Sequence, residues 1–188
     1  MKLILSKIKT YFGKLDKLLL FMCMGIACFA VFIQYTLYEN DISSAVTASQ
    51  YKTQIIAFIA GLVIAMALAA INYKYLAKLW FIYVPLAMGL TLLLFTPLGI
   101  QREGADDIGW LDLGIMTIQP SEILKLAFIL SLAVHLSKVE DRMNEPIHFI
   151  LLCIHGAIPT LLIRQTGDDG SALVFLFIFI CMMFAAGL

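Results

Sequence analysis

The feature that most constrains this chain is a series of six long stretches from which charge is almost absent: Leu18–Tyr38, Thr53–Tyr73, Leu79–Ile100, Ser121–Ser137, Pro146–Ile163 and Gly170–Leu188. A helix needs about 20 apolar residues to cross a hydrocarbon core of about 30 Å. Inside lipid the backbone must satisfy its own hydrogen bonds, so runs of this length read as helices. The sequence therefore predicts an all-α fold, a polytopic integral membrane helical bundle of about six transmembrane helices. The rest of the composition agrees: of 188 residues, 62% are hydrophobic and only 14% are charged. The formal net charge is zero, which gives no bulk attraction to nucleic acid.

Where the charges sit sets the orientation, because Lys and Arg concentrate in cytoplasmic loops. With the N-terminus inside, the inner segments hold nine basic residues: Lys2, Lys7, Lys9, Lys14, Lys17, Lys74, Lys78, Lys138 and Arg142. The outer segments hold three, Lys52, Arg102 and Arg164. The first apolar run is too long for a signal-peptide core and is read as a retained span. This topology places two glycine-bearing acidic segments on the outer side, the loop Gly99–Pro120 and the turn Arg164–Gly170.

Only the fourth stretch contains charge. It begins Gln119-Pro120-Ser121-Glu122-Ile123-Leu124-Lys125, where Pro120 suits the first turn of a helix and Ser121 can cap it. Glu122 complements the positive end of the helix dipole, whereas Lys125 opposes it and needs a partner in lipid. Three residues apart, Glu122 and Lys125 share a helix face and can pair. An ionisable pair facing a bundle interior is a candidate site for a polar or anionic ligand. Trp110, in the preceding loop, suits either an aromatic belt or a ligand contact. Asp106 and Asp107 are weak evidence for a divalent cation, and Asp168 or Asp169 can cap the sixth span. The four cysteines (Cys23, Cys28, Cys153 and Cys181) show no metal spacing and read as small buried hydrophobes. His135, His148 and His155 read as core or interface residues.

The string Trp110-Leu111, Leu113-Gly114, Gln119-Pro120-Ser121-Glu122 and Lys125 resembles a motif of the shape, elongation, division and sporulation family, which includes RodA, FtsW and SpoVE. A second match is Gly167-Asp168-Asp169-Gly170-Ser171-Ala172, similar to that family's Pro-Asp-Leu-Gly-Thr-Ala. The chain departs from the pattern at Gly109, which replaces a basic residue, at Gly167, which replaces the proline, and at Asp169, which replaces the leucine. The resemblance implies a glycosyltransferase of the bacterial cytoplasmic membrane that polymerises lipid II, an undecaprenyl-pyrophosphate-linked precursor, into peptidoglycan glycan strands. It also implies a class B penicillin-binding protein as partner and substrate contacts at Trp110, Gln119, Ser121, Glu122, Lys125 and Asp168.

In that chemistry a carboxylate base takes the proton of the acceptor hydroxyl, and cations stabilise the leaving pyrophosphate. Lys125 and a divalent ion such as Mg or Mn could supply the positive charge. The family has about ten spans and its catalytic Asp lies after the seventh. Residues 1–188 are thus expected to be a single domain of that type, truncated at its C-terminus, with no catalytic residue of its own. Two other readings fit the same residues: a flippase for lipid-linked precursors, and a non-catalytic scaffold for the penicillin-binding protein.

Overall fold

A computed structural model of the protein describes residues 16–40, 48–102, 104–114, 117–143 and 145–188. The N-terminal lysines Lys2, Lys7, Lys9 and Lys14 lie outside the described residues. The chain divides into two compact units, Met1–Asn72 and Tyr73–Leu188.

The first unit is a pair of packed helices, α1 (Lys17–Glu39) and α2 (Ala48–Ala70). Asp16 starts α1, its carboxylate accepting from the amide of Leu19 at 3.0 Å, which satisfies one of the free N–H groups of the first turn. At the other end the ring of Tyr51 packs against Tyr35 and Tyr38, with centroids 5.9 and 5.2 Å away. None of α1 is buried. Residues such as Phe21, Ile26 and Phe32 turn outward, as expected of helices whose solvent is lipid rather than water.

The second unit holds α3 (Tyr73–Lys78), α4 (Trp80–Leu92), α5 (Pro120–Val139), α6 (Pro146–Gln165) and α7 (Asp169–Ala185). Its core lies where α4, α5, α6 and α7 meet, around Leu124, Phe128, Leu132, Leu152, Ile163 and Phe175. The rings of Phe128 and Phe175 pack 5.6 Å apart. Small residues permit the closest approach, as is usual between membrane helices. A β-carbon on Gly156 of α6 would lie 2.5 Å from the ring of Phe179 on α7. Three described helices, Lys17–Glu39, Tyr51–Ala70 and Pro146–Gln165, are long and apolar enough to cross a membrane, and Trp80–Phe95 and Asp169–Ala185 are shorter apolar helices.

Two expectations need correction. The third uncharged stretch is not helical throughout: α4 tightens into a 3₁₀ turn at Leu93–Phe95 and stops before Pro97. The residue before a proline disfavours the helical conformation, and Gly99–Ile100 pairs instead as a strand. The cysteines are not buried within the chain either; Cys23, Cys28 and Cys181 are exposed and Cys153 is half-buried. They lie on apolar helices, where lipid rather than protein is the expected cover for a small apolar side chain.

Candidate functional site

The Gly99–Pro120 segment forms a small antiparallel sheet in the order β1 (Gly99–Ile100), β2 (Trp110–Asp112) and β3 (Thr117–Ile118). Ile100 faces Trp110, and Leu111 faces both Gly99 and Ile118. Leu111 is buried and anchors the sheet on the second unit, while the residues flanking it on β2 reach more open surroundings. Asp112 closes the turn after β2 by accepting from the amide of Gly114, whose positive φ of 78° suits glycine. The amide of Ile108 donates to the carbonyl of Thr166 at 2.9 Å, so the sheet is tied to the α6–α7 turn.

β3 leads directly into α5. The structure places Gln119 at the N-cap with no side-chain capping bond and Pro120 at the first turn. The expectation that Ser121 caps this helix is therefore wrong, because the chain is already helical at Pro120 and the serine lies past the cap position. Its hydroxyl is instead buried and without a hydrogen-bond partner. One turn on, Lys125 Nζ donates to Glu122 Oε1 at 2.6 Å, the pairing the three-residue spacing predicts. The lysine side chain is 19% exposed and the glutamate 60%. The helix thus presents the positive end of its dipole, a buried free hydroxyl and a cation held by a carboxylate at one end.

Trp110 is not free to stack on both faces. The guanidinium of Arg102 lies 3.4 Å from its ring centroid and also donates from Nη2 to Thr117 Oγ1 at 3.5 Å. A cation over an indole face is an attractive contact of about 0.5–1 kcal/mol where exposed. Sequence reasoning noticed Arg102 only as an outer charge. Its fifteen-residue separation from Thr117 across the sheet gave no local signal.

Asp168 caps α7 as expected, its carboxylate accepting from the amide of Ser171 at 2.7 Å, and Asp169 lies 3.6 Å from Arg164. Gly167 adopts a φ of 88°, with the backbone of Asp107 against it. Proline cannot reach that φ, so the turn as built excludes proline at this position. Trp110, Gln119, Ser121, Glu122, Lys125 and Asp168 therefore gather at one end of the second unit. Among the described residues, however, no hydrogen bond or ion pair joins Lys125 to Trp110 or Asp168. No group of three or more His, Cys, Asp or Glu side chains among the described residues is arranged to hold a metal ion.

Residues 14–188 match the family model for the FtsW, RodA and SpoVE cell cycle proteins. A probable peptidoglycan glycosyltransferase FtsW of Geobacter sp. (strain M18) is 32% identical over 185 residues, covering 92% of this chain and 47% of the relative. The peptidoglycan glycosyltransferase RodA of Treponema pallidum (strain Nichols) is 29% identical over 92% of this chain and 39% of the relative. A solved structure of a peptidoglycan synthase complex that coordinates polymerization and crosslinking shares the fold with a TM-score of 0.75 at 23% identity, over 93% of this chain and 48% of that one. The chain spans about half the length of these relatives.

Proposed function

The chain belongs to the FtsW, RodA and SpoVE family of cell cycle proteins, and from that premise we propose that it supplies part of a membrane enzyme that polymerises lipid II into peptidoglycan glycan strands. The observation that carries the reading is the start of α5. There the Lys125 cation, fixed by Glu122, stands a turn from the helix N-terminus and the unpartnered hydroxyl of Ser121. Helix N-termini and fixed cations favour anions, and the group that must be stabilised as a glycosidic bond forms is the departing pyrophosphate.

The roles follow from the contacts. Lys125 carries the charge and Glu122 holds it in place. Ser121 can donate its hydroxyl hydrogen to a phosphate oxygen. Arg102, laid over Trp110 at the same end, adds a second cation, and the uncovered indole face is left for a sugar ring. Asp168 orders the α6–α7 turn at this end by accepting from the amide of Ser171, and Gln119 leads the chain from β3 into α5. No residue of this chain is assigned the role of base, and no step is routed through a metal.

In this reading the site end faces the outside of the cytoplasmic membrane and the N-terminus faces the cytoplasm, consistent with the excess of basic residues at the other ends of the spans. The partner is a class B penicillin-binding protein that crosslinks the strands. The test is glycan-strand formation from lipid II by the longest natural product containing these residues, purified with that partner. Lys125→Ala and Glu122→Ala are each expected to lower the rate at least tenfold. Polymerisation at the wild-type rate in both variants would overturn the assignment.

A further inference from the structure

Below the start of α5 the second unit is not fully packed. A cavity of about 320 Å³ lies between α4, α5 and α6. Leu124 and Phe128 of α5, both buried, form its floor, with Val84 and Met88 of α4 beside them. Its rim is Leu151, Ile154 and Ile158 of α6, which are 44%, 48% and 51% exposed and so leave the space open at the surface of the bundle.

Two polar side chains, Ser131 and His155, also border the cavity, but their polar atoms are engaged within the chain. His155 Nε2 lies 3.0 Å from Ser131 Oγ, and Ser131 donates to the carbonyl of Phe128 at 3.1 Å. The other ring nitrogen, His155 Nδ1, lies 3.1 Å from Nδ1 of His135. A buried water needs about two to four polar partners, which these groups do not leave open. The space therefore suits hydrocarbon rather than water, and an occupant would restore the dispersion contacts that its lining atoms otherwise lack.

Where the cavity begins points to the kind of hydrocarbon. Ser121, Leu124, Phe128 and Ser131 follow one another at spacings of three and four, so they share one face of α5. The top of that face carries the unpartnered hydroxyl of Ser121, and Lys125 is the residue after Leu124. From Ser121 to Ser131 the helix rises about 15 Å, half of a hydrocarbon core of about 30 Å. A place for phosphate at the membrane surface, continued downward on the same helix face by an open apolar space, has the outline of a lipid-linked phosphate.

We propose that the cavity between α4, α5 and α6 seats the polyprenyl chain of the substrate, taking the isoprene units next to the pyrophosphate; this rests on the reading of the α5 start as the pyrophosphate site. The chain enters sideways, past Leu151, Ile154 and Ile158. Bulk lipid is as apolar as the cavity, so the chain gains little by leaving it. The gain lies in filling the space and in holding the attached pyrophosphate in one position against Lys125.

The experiment uses the longest natural product containing these residues, in phosphatidylcholine bilayers carrying lipid II, with photoreactive benzoylphenylalanine in place of Ile154 or, as a control, of Leu161. Leu161 is on the same helix, is 54% exposed and is not among the residues that line the cavity. Irradiation is expected to crosslink lipid II at position 154 and not at 161, and excess undecaprenyl pyrophosphate should suppress the product. Val84→Phe and, independently, Met88→Phe fill the space and should lower the yield roughly tenfold, the lower end of what a misfit in an apolar pocket costs. A crosslink at 154 to phosphatidylcholine alone, equal lipid II yields at 154 and 161, or an unchanged yield in both filled variants would each overturn the proposal. In Lys125→Ala the crosslink at 154 is expected to persist at reduced yield. A yield equal to the parent's would remove the pyrophosphate reading and leave the chain in its cavity.

Discussion

The pair at the start of α5 makes an asymmetric prediction. Lys125 Nζ and Glu122 Oε1 are 2.6 Å apart, a Coulomb energy of about 1.6 kcal/mol in water and about 6 kcal/mol at an effective dielectric of 20. Since the glutamate is 60% exposed, the pair lies near the lower limit, and exposed pairs contribute about 0.2–1 kcal/mol net. The two partners are not equivalent, however. Glu122→Gln strands a cation whose side chain is only 19% exposed, in a helix where an unpaired lysine costs up to about 2.5–3.5 kcal/mol at the centre of a bilayer. Lys125→Met instead leaves a carboxylate that is mostly solvated and favoured by the helix N-terminus by about 0.3–1 kcal/mol. Glu122→Gln should therefore cost about 1–2 kcal/mol, since Lys125 is one turn from the surface, and Lys125→Met should stay within about 0.5 kcal/mol of the parent. At about 2–4 °C per kcal/mol for a chain of this size, thermal unfolding in one fixed lipid–detergent mixture separates these outcomes. A Lys125→Met midpoint that falls as far as that of Glu122→Gln would refute the reasoning, because it would show the lysine to be a structural residue in its own right.

Two further substitutions test the packing that carries the site. Gly156→Ala puts a methyl group into the ring of Phe179 and should cost about 1–3 kcal/mol by overpacking, with most of the loss recovered in the Gly156→Ala, Phe179→Ala double variant; a thermal double-mutant cycle without coupling would argue against this contact. Gly167→Pro cannot keep a φ of 88° and should cost on the order of 3 kcal/mol while loosening the Ile108–Thr166 bond, read as faster amide exchange at Ile108; unchanged stability and exchange would mean that the turn is not as described.

The sequence made the helices legible because lipid imposes a simple rule: uncharged runs long enough to span it become helices. It made the Glu122–Lys125 pair legible because a spacing of three on a helix is a contact in itself. It overran the third span because absence of charge does not distinguish a helix from a short apolar strand, and only Pro97 and the pairing of Gly99–Ile100 with Trp110–Leu111 end α4. It misplaced the cap because helix starts shift by a residue or two, and Gln119 rather than Ser121 takes the position.

What stayed hidden shares one cause. Arg102 over Trp110, and His135 against His155, are contacts between elements, fixed by the register of a sheet in one case and of two helices in the other. Read singly, His135 and His155 are two polar residues in apolar runs, and a lone histidine there is most often a satisfied core residue. Together they make a hydrogen-bonded, stacked pair between α5 and α6 that neither position announces by itself.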